Sequence, residues 1–250
     1  MPTTIPGFEY LSVTLSDSGV LTARMAHADR GNTFSPTERD EFPALLALAE
    51  SDERVHVIVL TGEERVFCGG ADHSSDSFQS FKYYDRSRKF ITSFVECDVP
   101  FVVAMNGPAA GLGLTVALLS DVLVVERDVE FKDSHVLSGV AAAPGPYLWP
   151  LSTGLNRAKA ALLTGRSFSA DDAYAWGLVS EVVDPGRSLA VAMGYAEELA
   201  ALRPETVRAT KRNLNRWLRA ATSEVLEHGL SLEFMSFPDA YAATTRGAAG

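Results

Sequence analysis

Asn106-Gly107-Pro108-Ala109-Ala110-Gly111-Leu112-Gly113-Leu114-Thr115 follows the apolar run Pro100-Phe101-Val102-Val103-Ala104-Met105. It leads into Val116-Ala117-Leu118-Leu119, which closes at Ser120-Asp121. This order predicts a strand, a glycine-rich turn and a buried helix. Glycine lets backbone N–H groups come close to a ligand. The first turn of a helix leaves N–H groups unpaired at the positive end of its dipole. Such a turn suits a developing negative charge.

A second turn of this kind lies upstream. Val55-His56-Val57-Ile58-Val59-Leu60-Thr61-Gly62 reads as a buried strand, and Phe67-Cys68-Gly69-Gly70-Ala71-Asp72 bends after it with two adjacent glycines. Each turn alone is as well explained by close packing against a neighbouring strand. Two together can each aim one N–H at one oxygen, as in an oxyanion hole.

Composition narrows the function classes. A chain of 250 residues can bury a sizeable core. Its hydrophobic fraction of 46% and charged fraction of 22% are those of a globular protein. The formal net charge of −10 argues against a nucleic-acid binder, which needs a basic face. Cys68 and Cys97 have no close cysteine or histidine spacing, so no metal site or disulfide scaffold is expected. The N-terminal residues Met1-Pro2-Thr3-Thr4-Ile5-Pro6 lack the pattern of a signal peptide, and a cytoplasmic location is expected. The run Ala109 to Leu119 is too short to cross a bilayer, so no membrane partner is expected.

Along the chain, Phe8 to Leu15 alternates as a half-buried strand, and Val20 to Met25 returns after the Asp17-Ser18-Gly19 turn. Ser35-Pro36-Thr37-Glu38 has the N-cap, first-position proline and capping-box glutamate of a helix start. Pro43 should kink that helix or mark a later start. Val122-Leu123-Val124-Val125 is continuously apolar, which predicts burial on both faces. Ser169-Ala170-Asp171-Asp172 opens another helix, for which Gly177 can supply the C-terminal cap. The tail beyond Pro185-Gly186 reads as helical, and Phe234-Met235-Ser236-Phe237 suits either an interface or a packed helix end.

These two turns resemble the signature segments of the crotonase superfamily, the enoyl-CoA hydratase/isomerase family. Leu162-Leu163-Thr164-Gly165-Arg166, Ala173-Tyr174-Ala175-Trp176-Gly177-Leu178-Val179 and Ala209-Thr210-Lys211-Arg212 are similar to later segments of that family. The resemblance runs from about residue 8 to about residue 236. It implies an α/β fold, a spiral of repeated strand-strand-helix units over residues 1–187, with a helical C-terminal trimerisation domain over 188–250. It implies a homotrimer or hexamer, an acyl-CoA thioester substrate, and no cofactor beyond the coenzyme A of that substrate.

By the same resemblance, the N–H groups of Ala71 and Leu112 are the two oxyanion donors, although the family usually has glycine where Leu112 stands. Cys68, Gly69, Gly70, Asp72 and Gly111 belong to the substrate-binding turns. Arg24, Arg30 and Lys211 are candidates for the phosphates of coenzyme A, each with solvated surface charge as the alternative. The two glutamates with which family hydratases handle water are replaced by Thr115 and His135. Threonine is a poor base, whereas the ordinary histidine pKa of about 6.5 suits proton transfer. His135 is the acid/base candidate, with a purely structural histidine as the alternative. Another aspartate position of the family holds Ala143 or Pro144 here.

Phe131-Lys132-Asp133-Ser134-His135-Val136-Leu137-Ser138-Gly139 is also similar to the β-diketone hydrolase branch, of which 6-oxocamphor hydrolase is a member. That branch implies histidine-assisted water attack and C–C cleavage through an enolate, but Pro144 replaces the histidine's expected aspartate. A third reading is a catalytically weak member that binds acyl-CoA. His73, Ser74, Ser75 and Asp76 are expected in the acyl pocket or in a solvated loop. Asp72 and Asp121 are expected to brace turns, and Tyr83, Tyr84 and Tyr147 to pack or to offer a phenol to the pocket.

Overall fold

A computed structural model of the chain describes residues 2–72 and 81–247. Its first strands are β1 (Thr3–Thr4), β2 (Leu11–Leu15) and β3 (Val20–Met25). In β2, Leu11, Val13 and Leu15 are buried and Ser12 is exposed, as alternation predicts. The strand begins at Leu11 rather than Phe8. The Glu41 carboxylate takes the N–H groups of Glu9 (2.8 Å), Tyr10 (3.0 Å) and Leu11 (3.0 Å) before they can enter a ladder. β2 pairs antiparallel with β3 from Leu11↔Met25 to Leu15↔Leu21, and Gly19 supplies the turn at φ +91°.

Ser35 caps α1 (Pro36–Arg39) through a reciprocal pair of bonds with Glu38. Asp40 then separates α1 from α2 (Glu41–Ser51). Pro43 falls in the first turn of α2, where a missing N–H costs no helical bond, so it marks the later start.

Three parallel strands follow: β4 (Val57–Gly62), β5 (Phe101–Met105) and β6 (Val122–Glu126). Helices α3 (Phe81–Glu96) and α4 (Leu112–Leu118) connect them. Beyond β6 come β7 (Glu130–Phe131), α5 (Gly145–Thr153), α6 (Leu155–Thr164), β8 (Phe168–Ser169), α7 (Ala170–Ala175) and β9 (Glu181–Val183). Ser169 caps α7 with Asp172, and Gly177 at φ +84° closes the turn after it. The main sheet is seven-stranded and mixed, in the order β1-β2-β3-β4-β5-β6-β9, parallel from β3 onward. The second strand of each unit is reduced to a parallel bridge, Phe34–Ala71 or Cys68–Ala109, or to the antiparallel pair β7–β8.

The remaining helices are α8 (Ser188–Ala200), α9 (Pro204–Leu214), α10 (Arg216–Ala221) and, after one π-helical turn at Thr222–Leu226, α11 (Glu227–Gly247). Ala192, Ala196 and Ala200 of α8 pack on Val57, Val59, Val102, Ala104 and Val124 of the sheet. Ile58, Leu60, Val103, Met105, Leu123 and Val125 face the larger core on the other side. Burial on both faces accounts for the unbroken apolar runs. Helix α8, which opens just beyond the boundary expected at 187/188, covers one face of the sheet.

Candidate active site

The two glycine turns leave the C-terminal ends of β4 and β5 and are laced together. Asn106 does much of this. Its Nδ2 donates to the carbonyls of Gly62 (3.2 Å) and Glu64 (2.7 Å), and its Oδ1 accepts from the Gly62 N–H (3.0 Å). The Pro108 carbonyl accepts from the N–H groups of Phe67 (3.1 Å) and Cys68 (3.2 Å), and Ala110 donates back to the Cys68 carbonyl (3.0 Å). On the other side, Gly69 donates to Gly31 (2.8 Å), Phe34 to Gly70 (3.0 Å) and Asp72 to Phe34 (2.8 Å).

Side-chain space is absent where the turns meet. A Cβ on Gly113 would stand 2.3 Å from the Cys68 carbonyl oxygen. A Cβ on Gly70 would stand 2.6 Å from the Ala110 oxygen and 3.2 Å from the Leu112 nitrogen. These glycines let the two turns approach each other closely.

Several N–H groups of these turns have no acceptor among the described residues; those of Ala71 and Leu112, one on each turn, are among them, as are those of Ala109 and Gly111. Gly111, at φ +49°, absorbs the left-handed conformation just before α4, so Leu112 can start the helix without being glycine.

The expected substrate-binding residues divide. The N–H and carbonyl of Cys68, the N–H of Gly69, the carbonyl of Gly70 and the N–H of Asp72 are already spent within the fold. The Cys68 thiol is buried against the Asn32 carbonyl, and burial pushes its pKa up to about 12, so it stays a neutral thiol.

Lys211 is not at these turns. It is 7% exposed and donates Nζ to the Val99 carbonyl (2.8 Å) and to Asp121 Oδ2 (2.6 Å), at the N-terminal ends of β5 and β6. A buried ammonium needs such partners, and here they tie α9 to the sheet. Asp121 also accepts from the Phe101 N–H (2.7 Å), the bracing role expected of it. Arg24 shares a face of β3 with Val20 and Thr22, the face that α8 covers; Thr22 Oγ1 lies 3.9 Å from Met193 Sδ. The turn-side cavity is on the other face. Arg30 is engaged by Glu38. His73, Ser74, Ser75 and Asp76 lie outside the described residues.

That cavity of about 10 Å³ has room for roughly one water. It is lined by Gly111, Leu114, Thr115, Asp133, Gly145 and Trp149, among others. Thr115 is 6% exposed and lines the cavity, and its hydroxyl donates to the Gly111 carbonyl (3.2 Å). Ala143 packs under Gly229 of α11, whose missing Cβ would stand 2.8 Å from the Ala143 oxygen. Tyr84 donates its hydroxyl to the Glu227 carbonyl (3.2 Å), Tyr83 stacks edge-on against Phe237, and the Tyr147 hydroxyl is buried with no hydrogen-bond partner among the described residues.

His135 begins a short turn at Val136–Ser138 after β7. Its Nδ1 lies 2.6 Å from Asp133 Oδ1, which also accepts the His135 backbone N–H (3.1 Å). Burial works against the imidazolium, but the hydrogen bond and charge of Asp133, together with the charge of Glu233, outweigh it and hold the His135 pKa above its ordinary value. The supporting aspartate that Pro144 seemed to delete is thus supplied from two residues upstream. The signal was in the sequence. An aspartate side chain commonly accepts the N–H two residues on, so Asp133-Ser134-His135 places a carboxylate on that histidine. Among the described residues no cluster of His, Cys, Asp and Glu fit for a metal occurs, and no helix is long and apolar enough to cross a membrane.

The sequence model of the family described as enoyl-CoA hydratase/isomerase matches residues 16–245. A relative described as "Probable enoyl-CoA hydratase echA12", from Mycobacterium bovis, is 33% identical over 72% of this chain and 67% of its own length. A crystal structure of an enoyl-CoA hydratase/isomerase from Mycobacterium paratuberculosis superposes with a TM-score of 0.85 at 30% identity, covering 91% of this chain and 93% of that one. A β-diketone hydrolase from the cyanobacterium Anabaena, bound to (S)-3-oxocyclohexyl acetic acid, has a TM-score of 0.85 at 26% identity, covering 93% of this chain and 95% of its own. The α/β class and the C-terminal helices are those the resemblance implied; the main sheet is mixed.

Proposed function

The chain belongs to the enoyl-CoA hydratase/isomerase family, and we propose that it acts on an acyl-CoA thioester through an enolate held by the N–H groups of Ala71 and Leu112, with His135 as its acid/base group. The observation that carries this reading is the pair of unspent N–H groups on two turns pressed together. Donors fixed in place before the reaction lose no energy to reorganisation as charge develops on the thioester oxygen.

The proton is handled on one side. Asp133 takes the Nδ1–H of His135, which leaves Nε2 to accept a proton from the carbon next to the thioester carbonyl. The Asp133 charge orients the ring and stabilises the imidazolium that forms. His135 then returns the proton to the same carbon, which is exchange, or, where the acyl chain carries a double bond between its third and fourth carbons, to the fourth carbon, which is isomerisation. Hydration reaches the same enolate from a 2-enoyl thioester: the oxygen of water adds to the β-carbon as a base takes its proton, and the α-carbon is then protonated. Thr115 has a neutral hydroxyl where a second carboxylate would activate that water, so proton transfer and isomerisation are favoured over fast hydration.

A β-diketone hydrolase is the second reading. The Anabaena structure and the supported histidine both favour it. There His135 would draw a proton from water attacking a ring carbonyl, and the same two N–H groups would hold the enolate after C–C cleavage. The experiment is a thermal-shift screen with coenzyme A, acyl-CoA thioesters and cyclic diketones, since a ligand of the folded state raises its melting temperature. Thioesters that bind are then incubated in heavy water and their α-carbon is followed by NMR. Deuterium uptake that disappears in His135→Gln supports the thioester reading. Stabilisation by diketones alone replaces it with the second, and thioester binding without exchange replaces it with a binding protein.

A further inference from the structure

Arg39 is a residue that packing alone does not explain. It closes α1 and is 1% exposed, where a cation is costly unless its N–H groups are met. Its Nη1 donates to Ser87 Oγ of α3 at 3.2 Å, and the guanidinium lies 5.0 Å from the centre of the Tyr83 ring. Those two contacts hold the plane of the group. Nε and Nη2 are buried and have no hydrogen-bond partner among the described residues. Burial lowers the Arg39 pKa from its ordinary value, but a guanidinium keeps its proton in a protein. The charge therefore stays, desolvated and only partly satisfied.

The two unmet nitrogens form one edge of the planar guanidinium. Along that edge two N–H bonds run parallel and match the two oxygens of a carboxylate. The acidic groups nearby do not take it. Asp40, the next residue, pairs with Arg86 at 3.3 Å. Glu233 of α11 and Arg39 act on each other by charge, but no hydrogen bond closes between them. The position of Arg39 relates this edge to the candidate site. Five residues before it, Phe34 forms the bridge to Ala71 and accepts the Asp72 N–H at 2.8 Å. Tyr83, against which the guanidinium lies, stacks edge-on with Phe237 of α11 at 6.4 Å. Ser236 Oγ, beside Phe237, accepts the Ala141 N–H at 3.0 Å from the loop that carries His135. Arg39 thus lies where α1, α3 and α11 meet, tied on one side to the Ala71 turn and on the other to the His135 loop.

We propose that the Nε–Nη2 edge of Arg39 binds a second carboxylate at the far end of the acyl group, so that the substrate is the coenzyme A half-thioester of a dicarboxylic acid. Ser87 and Tyr83 hold the guanidinium in place beforehand, and the dry surroundings strengthen its bonds to an anion. A neutral acyl chain leaves two buried N–H groups unpaired, so the same arrangement discriminates against it. This rests on the thioester reading, in which the acyl group lies between the Ala71 turn and His135.

The test is isothermal titration calorimetry of the full chain with matched ligands: glutaryl- and adipyl-coenzyme A against pentanoyl- and hexanoyl-coenzyme A. The half-thioesters should bind about 10- to 100-fold more tightly than neutral thioesters of equal chain length, as hydrogen bonds to a charged group supply. The preference should vanish in Arg39→Met, which keeps an apolar stem and removes the edge. It should return in part in Arg39→Lys, which restores the charge without the paired donors. Equal affinity of the wild-type protein for both kinds, or a preference that survives in folded Arg39→Met, overturns the proposal and leaves the thioester reading standing. Binding of no thioester at all removes both. The melting temperature supplies a second readout. An arginine kept for a ligand burdens the free protein, so Arg39→Met should hold or raise it. A lowered melting temperature with the preference intact would mark Arg39 as a counter-ion of Glu233 and overturn the proposal. If Arg39→Met does not fold, Arg39→Lys carries the test, and an undiminished preference there overturns it equally.

Discussion

Replacing Asp133 by asparagine removes one charge from the candidate site and little else. Asp133 Oδ1 accepts from His135 Nδ1 at 2.6 Å and from its backbone N–H at 3.1 Å. The asparagine carbonyl can keep the backbone bond, so the turn should hold. A hydrogen bond to a charged group contributes about 1.5–3 kcal/mol net, and each ~1.4 kcal/mol is a factor of ten in rate. Loss of the charge alone should cost roughly 10- to 100-fold. An asparagine NH₂ turned toward Nδ1 would force the proton to Nε2 and leave no base; the equivalent exchange in a Ser-His-Asp triad costs about 10⁴. The expected loss lies between these limits. The assay is deuterium uptake at the α-carbon of a bound thioester as a function of pH. Because Asp133 raises the His135 pKa, the rising limb of the asparagine variant should move to lower pH and reach a lower plateau. Stability carries the same sign. A histidine whose folded pKa is raised stabilises fully below its unfolded pKa of about 6.5 and loses that contribution as pH rises through the folded value. The variant should therefore lose more melting temperature at about pH 5.5 than at about pH 8.5. An unchanged limb and unchanged rate would refute the pairing of Asp133 with a working base.

Crotonyl-CoA hydration should be slow, at least ~10²-fold below a two-carboxylate hydratase, because Thr115 offers no ionisable group; a steady-state absorbance assay checks this, and a fast rate insensitive to both Thr115→Ala and His135→Ala would show the site to be elsewhere. Gly113→Ala would put a Cβ 2.3 Å from the Cys68 oxygen, so the turns must part; we expect a loss of about 1–3 kcal/mol in urea unfolding, and a wild-type midpoint would contradict the packing of the turns. Leu112→Ala keeps its N–H and should alter thioester preference rather than the rate of α-proton exchange, measured over a series of acyl chains. The expected trimer or hexamer should appear in sedimentation velocity at micromolar concentration, where a stable monomer would remove that expectation.

The scaffold was legible because its signals are local. Alternating Leu11, Val13 and Leu15, the unbroken β4 and β5, and the serine caps at Ser35 and Ser169 each act within a few residues. Gly70 and Gly113 were legible as turn residues, but their partner surface, each other's turn, was not, because it depends on how β4 and β5 align. Lys211 looked like a surface cation because sequence does not reveal burial; only the packing of α9 on the strand ends brings Asp121 and the Val99 carbonyl to it. Pro144 suggested a histidine without support, but the carboxylate comes from Asp133, two residues before His135, through a local turn rather than from the position matched to the family.

The account turns on whether the N–H groups of Ala71 and Leu112 polarise a thioester carbonyl. The most direct measurement is an isotope-edited infrared difference spectrum of a bound thioester carrying ¹³C at its carbonyl. Two donors on one oxygen weaken that bond, so the stretch should move to lower frequency on binding. The shift should shrink in Ala71→Pro, which lacks the N–H, provided circular dichroism shows that variant folded. It should persist in Leu112→Ala. A bound carbonyl at its solution frequency in the wild-type protein, or a shift unchanged in folded Ala71→Pro, would contradict the oxyanion hole and with it the proposed chemistry.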